Sequence, residues 1–366
     1  VIEARIEVTD PVFLLEELKN QFEALPFDND YNLRDNLCKN IEFVFGPPGT
    51  GKTTHLAERI ISLMSKPDNK KILVMTPTNK AADVLVNKII DRAENKSYSD
   101  WLLRFGTTDD ANVEKSGVFH DKTFNFLSKP KNVTITTIAR FPYDFFMTDD
   151  KRIFLREINW DYIIIDEASM IMLAQILLPL YKKTPKYGFI IAGDPFQIEP
   201  VTTIDLWKGE NIYTLVNLNS FKEPQTVPYK YNITTLNTQY RSVPAIGNVF
   251  SKFAYDGILK HYRTPSSQRP LNIDDWLEIQ TLNIIKFPVS KYESIYRSRQ
   301  LNGKSSYQVY SALFTLEFIR AMKKRIEEKN PNEKFSIGII SPYRAQADLI
   351  EKLFASIKCD VQIGTI

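Results

Sequence analysis

The chain has 366 residues, 43% hydrophobic, 25% charged and 12% aromatic, which excludes a globally disordered chain and predicts about two domains. Its two cysteines, Cys38 and Cys359, are far apart with no Cys or His nearby, which excludes a disulfide scaffold and a Cys-based zinc site. Net charge is only +3, yet residues 227–366 hold 20 Lys or Arg against 12 Asp or Glu; this is compatible with a polyanionic partner and equally with unbalanced surface charge.

The N-terminus, VIEARIEVTD, has no apolar signal region and no initiator Met, so a fragment or a processed chain is expected. Residues 1–40 are expected to form a helical segment. Val12, Leu15, Leu18, Phe22 and Leu25 recur at helical spacing there, after an Asp10-Pro11 start. From Ile41 onward, short apolar strands alternate with helical patterns. Strands are predicted at 41–45, 71–75, 133–138, 162–165 and 187–192, and helices at 80–90 and 171–180. Near-continuous apolar strands separated by helices predict a parallel sheet covered on both faces. Residues 91–132 break the rhythm and read as an insertion, in which Phe119, Phe124 and Phe126 predict a small satellite core.

No apolar run reaches the ~18 residues of a membrane span; the longest, Met170 to Tyr181, predicts a buried helix. A location inside the cell, cytoplasmic, nuclear or nucleoid, is expected, with no membrane partner. A second α/β unit is predicted from 227, with helices at 309–328 and 345–357 and strands at 336–340 and 360–366. Its sheet is expected to continue past Ile366.

Three segments carry chemistry. Gly46-Pro47-Pro48-Gly49-Thr50-Gly51-Lys52-Thr53 fits G-x-x-x-x-G-K-[ST] and lies between a predicted strand and a predicted helix. Glycines let backbone N–H groups wrap a polyphosphate, and the helix N-terminus adds its dipole. Lys52 would neutralise phosphate charge, and the Thr53 hydroxyl would ligate Mg²⁺. The strand 162–165 runs into Asp166 and Glu167, at the strand ends where open α/β sheets bind ligands. Asp166 suits the Mg²⁺ shell, and Glu167 suits polarising the attacking water. The strand at 187–192 ends in Gly193-Asp194-Pro195-Phe196-Gln197, where a Gln can contact both water and γ-phosphate.

Together the segments resemble the superfamily 1 helicases, most of all their 5′-to-3′ branch, which holds RNA-decay, nuclease-linked DNA-repair and nidovirus helicases. GPPGTGKTT resembles motif I, TPTNKAAD motif Ia, TTIAR motif Ic, DEAS motif II and GDPFQIEP motif III. Gln239-Tyr240-Arg241 is similar to the segment opening the second core domain, and SPYRAQ to motif IV. The resemblance implies an α/β fold of two RecA-like domains, 41–226 with its insertion and 227–366, the second incomplete because motifs V and VI would follow Ile366. The fragment alone is then expected to be weakly active or inactive. It implies ATP and Mg²⁺ as cofactors, with Gly46, Pro47, Pro48, Gly49, Thr50, Gly51, Lys52, Thr53 and Thr54 around the phosphates and Tyr240 near the adenine. Lys52, Asp166, Glu167, Gln197 and Arg241 are the implied catalytic set, with Gln197 a γ-phosphate sensor and Arg241 reaching in from the second domain. Single-stranded DNA or RNA is the implied partner, contacted by Thr76, Pro77, Thr78, Asn79, Thr136, Thr137, Pro342, Tyr343 and Arg344. The rival reading is a P-loop switch ATPase or scaffold that binds nucleic acid without moving along it.

Overall fold

The computed structural model describes residues 41–365, apart from 69, 149–150, 183–185, 198, 201, 203–204, 206–207, 216–217, 219–231, 266–270, 275–276, 288–290, 302–304, 330–335 and 356–360. The helix expected over 12–25 lies outside the described residues. Contacts divide the chain into two compact units, Val1–Thr264 and Pro265–Ile366. Residues 232–264, expected in the second unit, belong with the first.

The first unit is built on eight strands: β1 Ile41–Phe45, β2 Lys71–Thr76, β3 Leu102–Phe105, β4 Phe119–His120, β5 Asn132–Thr137, β8 Tyr162–Ile165, β9 Gly188–Gly193 and β10 Asn232–Thr235. Between β5 and β8 a small antiparallel hairpin, β6 Phe145–Thr148 and β7 Lys151–Phe154, stands apart from this sheet. The order across the sheet is β10-β1-β9-β8-β2-β5-β3-β4. Every neighbouring pair in it is parallel. All-parallel pairing requires crossovers on both faces, and two apolar layers follow. One packs Phe43, Phe45, Leu73, Met75, Phe105, Ile163, Ile165 and Ile191. The other packs Val44, Ile72, Val74, Ile164 and Ile190 against α1 Lys52–Met64 and α2 Asn79–Arg92. The alternation of odd and even strand residues between the layers is the period-2 geometry of a strand.

Residues 91–132, expected as an insertion, continue this sheet. β3 pairs with β5 and carries β4 at the far edge, and α3 Ala111–Lys115 sits between them in sequence. Phe126 is buried in the main core, stacked on Phe146 at 4.9 Å and edge-on to Trp160 at 5.8 Å. Phe124 and Phe119 are half-buried against the two layers, so no separate satellite core forms. α4 Leu173–Lys182 and α5 Ile212–Leu215 complete the crossovers. After β10 come β11 Thr238–Gln239, α6 Pro244–Ala254 and β12 Lys260–His261, with β11 and β12 paired in parallel.

The second unit contains two hairpins, β13 Leu271–Asp274 with β14 Leu277–Ile279, and β15 Arg299–Leu301 with β16 Ser305–Tyr307. α7 Glu293–Tyr296 lies between them. α8 Val309–Lys329 and α9 Arg344–Ala355 cover the parallel pair β17 Gly338–Ser341 and β18 Gln362–Thr365. Its core is small: Ala312, Leu316, Ile319, Ile350 and Phe354. Among the described residues, no helix is long and apolar enough to cross a membrane.

Candidate nucleotide-binding and nucleic-acid site

Sheet order decides what meets at the carboxyl edge. β9 lies between β1 and β8, so the loops after β1, β9 and β8 are neighbours. The first is the Gly46–Gly51 loop, the second holds Asp194 and Gln197, and the third is Asp166-Glu167. The Gly46 N–H donates to the Gly193 carbonyl (3.1 Å), fastening the first loop to the second.

Thr50 closes the phosphate loop on itself, its N–H and Oγ1 both donating to the Pro47 carbonyl (3.2 and 2.8 Å). Gly51, at φ +85°, turns the chain into α1. No side chain caps this helix, so the orphan N–H groups of its first turn are left for another acceptor. Gly49, at φ +78°, passes beneath the Arg241 segment: a Cβ there would stand 2.7 Å from Arg241 Cβ. The Tyr240 N–H donates to the Gly49 carbonyl at 2.8 Å. Tyr240 and Arg241 are thus beside the phosphate loop, and they belong to the first unit instead of the second. The Tyr240 ring is half exposed and packs on Tyr262 at 4.9 Å.

Lys52 is buried, and its Nζ donates to Glu167 Oε2 at 2.8 Å and to the Gly46 carbonyl at 3.5 Å. Glu167 has φ +52° and ψ +42°, a left-handed conformation that costs a non-glycine residue about 1–2 kcal/mol. Its N–H donates to Asp166 Oδ1 (2.9 Å). Asp166 is buried, and burial pushes its carboxyl up to about 7; the Glu167 charge adds to the shift and Lys52 opposes it. A buried carboxylate short of positive charge, a lysine held on the neighbouring acid and an uncapped helix start fit a metal–polyphosphate. Thr53 is the second residue of that helix, half-buried, with Thr54 beside it. Lys52, Asp166 and Glu167, singled out from sequence, are brought together.

Two groups that carry no role in the sequence reading also belong to the site. Asp194 is fully buried, and burial raises its carboxyl; it accepts from the Phe196 N–H (3.1 Å) and from the Tyr255 hydroxyl. Tyr213 is fully buried against Phe43 and Phe45. Burial, with Glu167, Asp166 and Asp194 nearby, raises its hydroxyl well above the usual range. Tyr213 lies in no spacing pattern that marks it, and Asp194 lies in the GDPFQIEP segment, where Gln197 alone was expected to act.

The expected strand-contacting residues divide into two groups. Thr78 is exposed, and Pro77 and Asn79 are half-buried. Thr78 Oγ1 caps α2 by accepting from the Ala81 N–H, and Asn79 donates to Thr107 Oγ1 at 3.0 Å. By contrast, Thr76, Thr136 and Thr137 are buried, and the Thr76 hydroxyl donates to the Thr78 and Thr136 carbonyls (2.8 and 3.4 Å). They shape the surface from below. Beneath it Arg104, fully buried, donates to Asp83 Oδ1 (2.7 Å), Asn79 Oδ1 (3.2 Å) and the Phe105 and Thr107 carbonyls (both 2.7 Å). Burial lowers its affinity for its proton, and the bond to Asp83 counters that. In the second unit Pro342, Tyr343 and Arg344 are all exposed at the start of α9, where Arg344 pairs with Asp348 at 2.8 Å.

An all-parallel sheet with this loop on one strand, an acidic pair one strand beyond its neighbour and a buried lysine between them defines a P-loop nucleotide-binding domain. Two AAA domain models match the chain, one over residues 32–203, which holds this site, and another over 218–366. The chain is 26% identical over 381 residues to the "DNA replication ATP-dependent helicase/nuclease dna2" of Schizosaccharomyces pombe, covering 98% of this chain and 24% of that protein. It is 24% identical over 376 residues to the "Probable RNA helicase armi" of Drosophila melanogaster, covering 88% and 30%. A solved Arterivirus helicase, nonstructural protein 10 with DNA, aligns with a TM-score of 0.37 and 12% identity over 63% of this chain and 43% of that one. The two models together cover most of this chain, and the curated relatives it resembles carry helicase names. The chain spans 24–38% of the length of the first relatives it matches.

Proposed function

We propose that this chain is the motor portion of an ATP-dependent helicase or translocase acting on single-stranded DNA or RNA. The observation that supports it best is the convergence of Lys52, Asp166, Glu167 and the Gln197 loop at one sheet edge, with Arg241 laid over Gly49. ATP with Mg²⁺ would supply a phosphoanhydride whose terminal phosphate is open to in-line attack by water. Lys52 and the first turn of α1 then hold phosphate charge, with Thr53 and Asp166 as the metal-holding side chains. Glu167, freed from Lys52, orients the attacking water and takes its proton. Gln197 and Arg241 are the two groups positioned to sense the outermost phosphate. Polar and cationic side chains without a groove-reading helix suit sequence-independent contact with a strand.

The test is steady-state ATP hydrolysis with and without mixed-sequence single-stranded oligonucleotides of DNA and of RNA. Stimulation by one or both is expected, with a directional displacement assay on partial duplexes giving movement. Hydrolysis that ignores nucleic acid would overturn the motor reading in favour of a switch ATPase.

A further inference from the structure

Two loops of the nucleotide site are tied to opposite ends of one helix. Three residues before α6 is Arg241, whose backbone lies over Gly49 and whose neighbour Tyr240 is bonded to it. Directly after α6 comes Tyr255, whose hydroxyl donates to Asp194 Oδ2. Both of these side chains are buried, so water does not readily replace the bond when it is lost. Asp194 in turn accepts from the Phe196 N–H at 3.1 Å and, through its carbonyl, from the Gln197 N–H at 3.2 Å. The Phe196 ring stands edge-on to Tyr255, 5.6 Å between centroids at 88°. The 11 residues of α6 span about 16 Å at 1.5 Å per residue. Their other end is fixed by Gln239, whose amide bonds the Ser242 carbonyl (2.7 Å), the Ser242 N–H (2.8 Å) and the His261 ring (2.7 Å).

We propose that α6 is a rigid strut coupling the Gln197 loop to the Arg241 segment, with Tyr255 as the positioning residue that locks the two in register. The kinetic consequence rests on the ATPase reading above; the mechanical coupling does not. A helix braced at both ends moves as one body, so displacement of Gln197 would displace Arg241, and the two would reach a phosphate together.

Tyr255→Phe in the full chain keeps the ring and its packing and removes only the hydroxyl. Hydrogen exchange is read at the Gln197 and Tyr240 amides. The strut predicts about tenfold faster exchange at both, although Tyr240 is a helix length away. Asp194→Asn, which leaves an acceptor oxygen for Tyr255, should keep exchange at the Tyr240 amide close to the parent. In Tyr255→Phe, kcat for ATP should fall about tenfold with KM unchanged. The effect of Tyr255→Phe should disappear in a Gln197→Ala background, because Gln197 is the group it positions. Faster exchange confined to 194–197 and 251–257 would overturn the strut, as would independent effects of the two substitutions on kcat. Propagated exchange in a chain that binds no ATP would uphold the strut and overturn the ATPase reading alone.

Discussion

Gly49 and Gly51 offer a matched pair for measuring the contact between the phosphate loop and the Arg241 segment. Both have positive φ, +78° and +85°, so alanine at either pays about 1–2 kcal/mol of left-handed strain. They differ in surroundings. A Cβ at Gly51 meets nothing within 4 Å, whereas one at Gly49 would be 2.7 Å from Arg241 Cβ and 3.4 Å from its backbone N. The obstacle is near-backbone and cannot swing aside, so overpacking adds about 1–3 kcal/mol. Gly51→Ala should therefore cost about 1–2 kcal/mol and Gly49→Ala about 2–5. Each kcal/mol moves the midpoint of a unit this size by about 2–4 °C. Thermal unfolding without nucleotide is the assay, so that lost phosphate binding does not enter. Adding Arg241→Gly to Gly49→Ala removes the opposing Cβ and should recover the excess. Equal shifts for the two alanine variants, or no recovery in the double variant, would refute the close approach.

Two further outcomes are expected. The Asp166 carboxyl, raised from 3.8 to about 7 by burial first and Glu167 second, holds its proton more tightly folded than unfolded. Nucleotide-free stability therefore falls as pH rises from about 4 to 7, by at most about 4 kcal/mol at 1.36 per pH unit; Asp166→Asn should flatten that slope in urea titrations at stepped pH. Arg104→Met strands the Asp83 carboxylate and should cost about 3–5 kcal/mol, and Arg104→Met with Asp83→Leu should recover part of the loss in the same titration.

Local order was legible where a single period or motif decides it. β1, β2, β5, β8 and β9 fall within two residues of their expected bounds because buried parallel strands are short apolar runs between turn residues. Lys52 and the acidic pair were legible because phosphate chemistry restricts residue type and spacing together. Order across the sheet was not. Residues 102–105 read as part of an insertion because their pairing to β5 is a contact over about thirty residues, and its hydrophobic signature, Leu102-Leu103-Arg104-Phe105, is broken by a charge. That arginine is buried because Asp83, Asn79 and two carbonyls surround it. Partners so far apart in sequence leave no local pattern. The same holds for Tyr255, whose meaning depends on Asp194, 61 residues earlier. It also explains Arg241: its motif was recognisable, but the unit it belongs to follows from β10 pairing with β1.

The Lys52–Glu167 pair carries an opposite expectation for binding and for turnover. At 2.8 Å, with Lys52 6% and Glu167 25% exposed, it is a charge-assisted bond shielded from most of the solvent, worth about 1–2 kcal/mol. Lys52 has three N–H donors but one positive charge, and a polyphosphate that draws on that charge weakens its bond to Glu167. We expect nucleotide binding to loosen the pair, so that part of its energy is subtracted from affinity. Glu167→Gln keeps shape and one acceptor oxygen but loses the charge. It should tighten ATP binding by about 5–30-fold, at 1.4 kcal/mol per decade. Turnover should fall by about 10²–10⁴, the usual worth of a general base. Lys52→Ala should weaken binding and abolish hydrolysis together. Binding of a fluorescent ATP analogue, read beside hydrolysis on the same protein, separates the effects. Weaker binding by Glu167→Gln would show that Glu167 supports the nucleotide and does not compete for Lys52, and turnover at the parental rate would remove it from the general-base role.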